Sequence, residues 1–183
     1  MRGRGSLILE DWSPDGQSLL FSEYTSRGDT DVWIYSDGKA EPLLSGPSNE
    51  AAARFSPDGR FIAFEADDGG VTHVYVQPFP GPGPRTAIYG AEGGMPVWIA
   101  AGQLLFLSEG RMMVADVQTH PDLRVGQTRL LNGRSDARHR ITPAPDGRRF
   151  LMLSPRAMEG PIEVRIILNW FQELERLAPH PSR

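Results

Sequence analysis

Trp12-Ser13-Pro14-Asp15-Gly16 decides how this chain folds, because it returns as Phe55-Ser56-Pro57-Asp58-Gly59 and then fades to Trp98-Ile99-Ala100-Ala101-Gly102 and Pro143-Ala144-Pro145-Asp146-Gly147. The four glycines are spaced 43, 43 and 45 residues apart. Each copy is a hairpin turn with a mechanism. Pro14 and Pro57 preset φ at the first central position, Asp15 and Asp58 tolerate the second, and Gly16 and Gly59 supply a left-handed residue from which the next strand resumes. The third copy has lost Pro and Asp but keeps Gly102, and the fourth keeps Pro145, Asp146 and Gly147.

Outward from each turn the chain reads as strands. A short strand ending on a large aromatic precedes it (Trp12, Phe55, Trp98), and an apolar run follows: Leu19-Leu20-Phe21, Ile62-Ala63-Phe64, Leu105-Phe106-Leu107 and Phe150-Leu151-Met152. These runs do not alternate with polar residues, so they predict strands buried on both faces. A third strand follows at Asp31–Tyr35, His73–Val76 and Met112–Ala115, rich in β-branched and aromatic residues. A more polar fourth, at Glu41–Leu44, Thr86–Tyr89 and Thr128–Leu131, suits an outer edge. Units of this length holding four strands are the signature of β-propeller blades.

The expected fold is therefore all-β: a partial β-propeller over 6–168, with three complete four-stranded blades near 6–46, 50–90 and 93–132 and an incomplete fourth near 138–168. A short C-terminal amphipathic α-helix is predicted at 169–178, where Asn169 is a good N-cap, Trp170, Phe171, Leu174 and Leu177 form one stripe, and Pro179 stops it. The aromatics Trp12, Phe55 and Trp98, at one repeat position, are expected in the core. Only Met1 to Gly5 precede the first inner strand, too few to complete a last blade. The chain thus reads as the back part of a larger ring, and the uncovered end blades predict self-association of the isolated chain.

Composition narrows the function classes. Of 183 residues, 23% are charged and the net charge is −4, too small to point to nucleic acid or to an anionic membrane surface. With no cysteine, thiolate catalysis, disulfides and Cys-ligated zinc are excluded. No apolar run reaches the length of a membrane span, so direct insertion is not expected. The basic opening Met1-Arg2-Gly3-Arg4-Gly5 lacks the apolar stretch of a signal peptide.

Catalytic motifs are missing. There is no Gly-x-Ser-x-Gly elbow, no phosphate loop and no kinase signature, and the single lysine, Lys39, falls in a turn. The histidines (His73, His120, His139, His180) lack metal-ligand spacing and read as rim residues. Asp29-Thr30-Asp31 and Asp67-Asp68-Gly69 hint at calcium but lack the later bidentate Glu, and read as hairpin turns. The carboxylates Glu10 and Asp11 have no second set that would suggest a glycosidase. No cofactor is expected. The one basic cluster, Arg134, Arg138, His139 and Arg140, is the candidate contact for an acidic partner, with a solvated loop as the plainer reading; no aromatic interleaves with it for base stacking.

The repeats resemble TolB-like (WD-like) β-propeller repeats, on Glu10–Gly16, Ala53–Gly59 and Val74-Tyr75-Val76-Gln77-Pro78-Phe79-Pro80. With the ending Ile167-Leu168-Asn169-Trp170-Phe171, they are similar to the C-terminal propeller of some bacterial serine/threonine protein kinases. That resemblance implies six blades in a closed ring, a periplasmic or otherwise extracytoplasmic setting, and a kinase domain absent from this chain. The function expected is a non-catalytic scaffold for a protein or peptide partner. The alternative is the sensory half of such a kinase.

Overall fold

A computed structural model describes residues 5–25, 28–81, 83–99, 102–134, 140–144, 150–153 and 164–167. Four antiparallel sheets follow one another along the chain. The first holds β1 (Ser6–Trp12), β2 (Ser18–Tyr24), β3 (Thr30–Ser36) and β4 (Lys39–Leu44), in that spatial order. The second holds β5 (Asn49–Phe55), β6 (Phe61–Asp67), β7 (Thr72–Pro78) and β8 (Thr86–Ala87), and the third β9 (Gly94–Ile99), β10 (Gln103–Ser108), β11 (Arg111–Gln118) and β12 (Arg124–Arg134). The fourth has three strands among the described residues: β13 (Arg140–Pro143), β14 (Phe150–Leu153) and β15 (Val164–Ile167). Consecutive four-stranded meanders stacked face to face are propeller blades. The chain is an all-β partial propeller.

The Ser-Pro-Asp-Gly turns form as their chemistry dictates. Gly16 N–H donates to the Ser13 carbonyl at 2.8 Å and Gly59 N–H to the Ser56 carbonyl at 2.8 Å, each closing a four-residue turn. The Ser13 hydroxyl donates to Asp15 Oδ1 at 2.6 Å, and the Ser56 hydroxyl to Asp58 Oδ1 at 2.6 Å, so each Asp braces its own turn. The same hydroxyls accept the amides that open the next strand, Ser18 N–H at 2.8 Å and Phe61 N–H at 3.0 Å. Gly16, Gly59 and Gly102 lie at φ +71°, +69° and +73°. At Gly102 space is short as well: a Cβ there would sit 2.8 Å from the Val117 carbonyl oxygen. This explains why the third turn, stripped of Pro and Asp, still has its glycine.

The second strands β6 and β10 are buried on both faces. Along β6, Ile62, Phe64 and Ala66 join Leu20, Val32 and Leu44 of the first sheet, while Phe61 and Ala63 join Trp98, Leu104 and Phe106 of the third. Along β10, Leu104 and Phe106 face the second sheet, and Leu105 and Leu107 enter the cluster on the other side with Val97, Ile99 and Leu131. The core is thus a series of apolar layers between sheets, each worth roughly 25 cal/mol per Å² of surface removed from water.

Several sequence expectations shift. Trp12 is not core: it is 62% exposed, whereas Phe55 and Trp98 at the same repeat position are buried. The reason is position, since the preceding sheet that covers Phe55 and Trp98 has no counterpart over Trp12 among the described residues. Leu7, Leu9, Tyr24 and Tyr35 of the first sheet are exposed with it. The second outer strand is only Thr86–Ala87, after which Ile88 turns inward and is buried, its N–H donating to the Val74 carbonyl at 2.9 Å. The third, Arg124–Arg134, is longer than the four residues expected. Lys39 opens β4, just after the two-residue turn Asp37-Gly38. The helix expected at 169–178 and the turn Pro145-Asp146-Gly147 lie outside the described residues.

Candidate functional site

The innermost strands β1, β5, β9 and β13 are brought side by side by the stacking, and the pairing of the first three is irregular. Pairing registers slip between Leu9 and Asp11 and between Ala51 and Arg54, and opposite β9 between Leu105 and Leu107. These bulges add twist where the strands converge. Two residues at the bulges, Ala52 and Met95, occupy one repeat position and lie at φ +53° and +54°, left-handed backbone that is costly without glycine. Strain of that kind persists only where surrounding contacts hold it.

Carboxylates of the preceding sheet hold it. Glu10 of β1 accepts the Ala52 N–H at 3.2 Å, and Glu65 of β6 accepts the Met95 N–H at 2.7 Å. The amides are equivalent, but the acids come from different strands. In the first sheet the position matching Glu65 is Ser22, which donates its hydroxyl to Glu10 Oε1 at 2.7 Å. A second tie lies beside the first: Asp11 Oδ2 accepts the Phe55 N–H at 2.9 Å, and the Trp98 indole N–H donates to the Arg54 carbonyl at 3.2 Å.

Arg54 completes the site. Its guanidinium meets Glu10 Oε2 at 2.9 Å, with the Glu10 side chain 7% exposed and that of Arg54 28%. Burial pushes the Asp11 carboxyl up from its ordinary range, opposed by the Phe55 amide and the Arg54 charge. Burial does the same to Glu65 against the Met95 amide. Between these strands two adjoining cavities open, of about 190 and 250 Å³. Glu10, Arg54, Val97 and Thr142 border both; Glu65, Met95 and Pro96 line the first, and Asp11, Pro57 and Trp98 the second. Every sheet contributes to this cleft. It pairs one arginine with three carboxylates on a floor of Val97, Pro96 and Trp98.

Ser13 and Ser56 spend their hydroxyls inside turns. His73 Nδ1 lies 3.2 Å from the Ala91 carbonyl and His120 Nδ1 3.1 Å from Arg60, so among the described hydrogen bonds no serine meets a histidine. No group of three or more metal-ligating side chains occurs among the described residues. In the acidic turn Asp67-Asp68-Gly69 the two carboxylates divide in role: Asp68 accepts from Arg85, Tyr75 and Ser48, and Asp67 accepts the Gly70 N–H at 2.6 Å.

The turn residues Pro14, Asp15, Gly16, Pro57, Asp58, Gly59 and Gly102 shape the hairpins and, Pro57 apart, stay clear of the cleft lining. Of the basic cluster, Arg138 and His139 lie outside the described residues, while Arg134 and Arg140 end β12 and begin β13. Sequence reasoning does not bring Glu10, Arg54 and Glu65 together. A signal exists in the alignment of repeats, where Asp11 and Arg54 carry opposite charges at one position next to the conspicuous aromatic.

No family model matches the chain. Among curated proteins it is similar to the Tol-Pal system protein TolB of Anaeromyxobacter dehalogenans, 37% identical over 84 residues that cover 45% of this chain and 19% of that protein. The chain thus spans about a fifth of the length of the curated relatives it matches. Among solved structures it is similar to TolB from Acinetobacter baumannii, with TM-score 0.69 and 18% identity over 92% of this chain and 42% of that one. A fainter likeness, TM-score 0.51 and 14% identity, is to a prolyl endopeptidase, covering 81% of this chain and 25% of that one. At such identities the structural matches establish the propeller fold.

Proposed function

We propose that this chain is a non-catalytic β-propeller scaffold that recognises a protein or peptide partner, and that recognition takes place in the inner-strand cleft. The observation that carries the reading is the convergence of all four sheets on Glu10, Asp11, Arg54 and Glu65 around a small, partly apolar opening. Pockets for small molecules and cofactors usually run from about 300 to 1,000 Å³. Each cavity here is smaller, about the size of an inserted side chain. An arginine beside carboxylates offers both signs of charge to a peptide, and Pro96, Val97 and Trp98 offer apolar contact. The similarity to proteins named for the Tol-Pal system supports a protein partner. The kinase-linked alternative rests on the resemblance of Glu10–Gly16, Ala53–Gly59 and Val74–Pro80 together with the ending 167–171, and no feature of the cleft favours it.

Panning a random peptide library on the immobilised chain tests the reading. Selected peptides are expected to lose binding to Thr142→Arg, which fills the mouth of the cleft from an exposed position and leaves the Glu10–Arg54 pair intact. Peptides that bind both proteins equally would place recognition elsewhere. Hydrolysis of peptide or ester substrates by the purified chain would overturn the non-catalytic reading.

A further inference from the structure

Glu50 stands on β5 two residues before Ala52, at the end of the joint between the first two sheets. Its partner across the strand pair is Ala66, which belongs to the apolar layer facing the first sheet. Next to it, Asn49 Oδ1 accepts the Thr30 N–H of β3 at 3.0 Å, a hydrogen bond that ties the two sheets. Glu50 is 5% exposed, and its Oε2 is a buried oxygen with no hydrogen-bond partner among the described residues. An ionised carboxylate left in that state costs far more than a neutral acid.

Among the described residues, its surroundings do not supply the missing positive charge. Asp31 of β3 and Asp68 raise the cost of ionising Glu50, opposed by Arg85 and by a hydrogen bond from the Gly46 amide. That arginine is committed elsewhere, reaching Asp68 Oδ1 at 3.0 Å and lying 4.6 Å over the Tyr75 ring. On the other strands packed against β5, β1 offers Glu10 and Asp11, already tied to Arg54 and to the Phe55 amide. β2 offers Glu23, β6 Glu65 and Asp67, and β9 no charged side chain. The joint therefore holds acids in excess of bases.

We propose that a proton on Glu50 closes the joint between the first two sheets, and that its loss loosens this joint while leaving the third sheet intact. Because β5 also carries Ala52 and Arg54, the loosening reaches the strand that builds the cleft. The direction follows from linkage. Burial, then Asp31, holds the Glu50 carboxyl above the ordinary glutamate range in the folded chain. Stability from the neutral acid is thus fully present below the unfolded value and is lost as pH rises through the folded one.

The test is amide hydrogen exchange by NMR on the full chain between about pH 5 and pH 8, corrected for the intrinsic rate. Thr30 N–H and Ala52 N–H report this joint, and Val117 N–H, bonded to the Gly102 carbonyl at 2.7 Å, reports the third sheet. Protection at Thr30 and Ala52 is expected to fall severalfold as pH rises, with Val117 unchanged. The difference in proton affinity between the closed and open joint carries over into the opening equilibrium. Glu50→Gln should abolish that fall. Flat protection at Thr30 and Ala52 in the unaltered chain overturns the proposal, whether or not the variant folds. So does a fall that calcium or sodium reverses, which would make the missing charge a metal cation.

Discussion

Trp12 and Trp98 sit at one position of the repeat, two units apart, and meet opposite fates. Trp98 is 6% exposed, its indole tied to the Arg54 carbonyl and its ring in the layer with Phe61, Val76 and Phe106. Trp12 is 62% exposed on the outer face of the first sheet, with Leu9 at 71% beside it. The repeat specifies what each sheet brings to a joint, and the neighbour specifies whether it is used. A residue's worth here is a property of the joint, not of the motif.

The widest separation between the two tryptophans is expected in stability. Trp98→Ala should cost about 3–5 kcal/mol, as large core truncations do, while Trp12→Ala should stay within about 0.5 kcal/mol, as exposed sites do. Urea titration of both variants checks this, and equal losses would break the comparison. Next in size comes the polar side of the joints. Glu10→Ala strips partners from Arg54, Ser22 and the Ala52 amide together, and should cost about 2–3 kcal/mol.

Turn glycines sharpen the contrast further. Gly59→Val adds a side chain at φ +69° with only ordinary contact to Pro14, so about 1–2 kcal/mol of backbone strain is expected. Gly102→Ala meets the Val117 carbonyl as well and should lower the thermal midpoint more, although alanine is the smaller residue. The reverse order would mean that the third turn is not held as described. The smallest effect on stability, but not on assembly, belongs to the open face. The purified chain is expected to self-associate at tens of micromolar, roughly where exposed apolar surfaces do. Trp12→Ser should shift it toward monomer in light scattering.

How much of this can be read beforehand follows from the range of each interaction. The turns are legible because Ser13, Pro14, Asp15 and Gly16 satisfy one another within a few residues. So is the doubly buried β6, whose unbroken apolar run states its own environment. The cleft is not. Glu10 and Glu65 hold equivalent amides from non-equivalent strands, and no alignment of repeats pairs them. The exposure of Trp12 is hidden for the same reason, since burial depends on a neighbouring sheet that the motif does not encode. Arg134 and Arg140 stand out in the sequence as the one run of like charge, yet the cleft is built from isolated charges spread over the first two repeats.

Binding of one selected peptide to three proteins separates the cleft from the open face most directly. Isothermal titration should give the same Kd for the unaltered chain and for Trp12→Ala, and a loss of at least about tenfold, some 1.4 kcal/mol, for Thr142→Arg. Unchanged affinity in Thr142→Arg together with lost binding in Trp12→Ala would move recognition to the exposed face of the first sheet and contradict the assignment of the cleft.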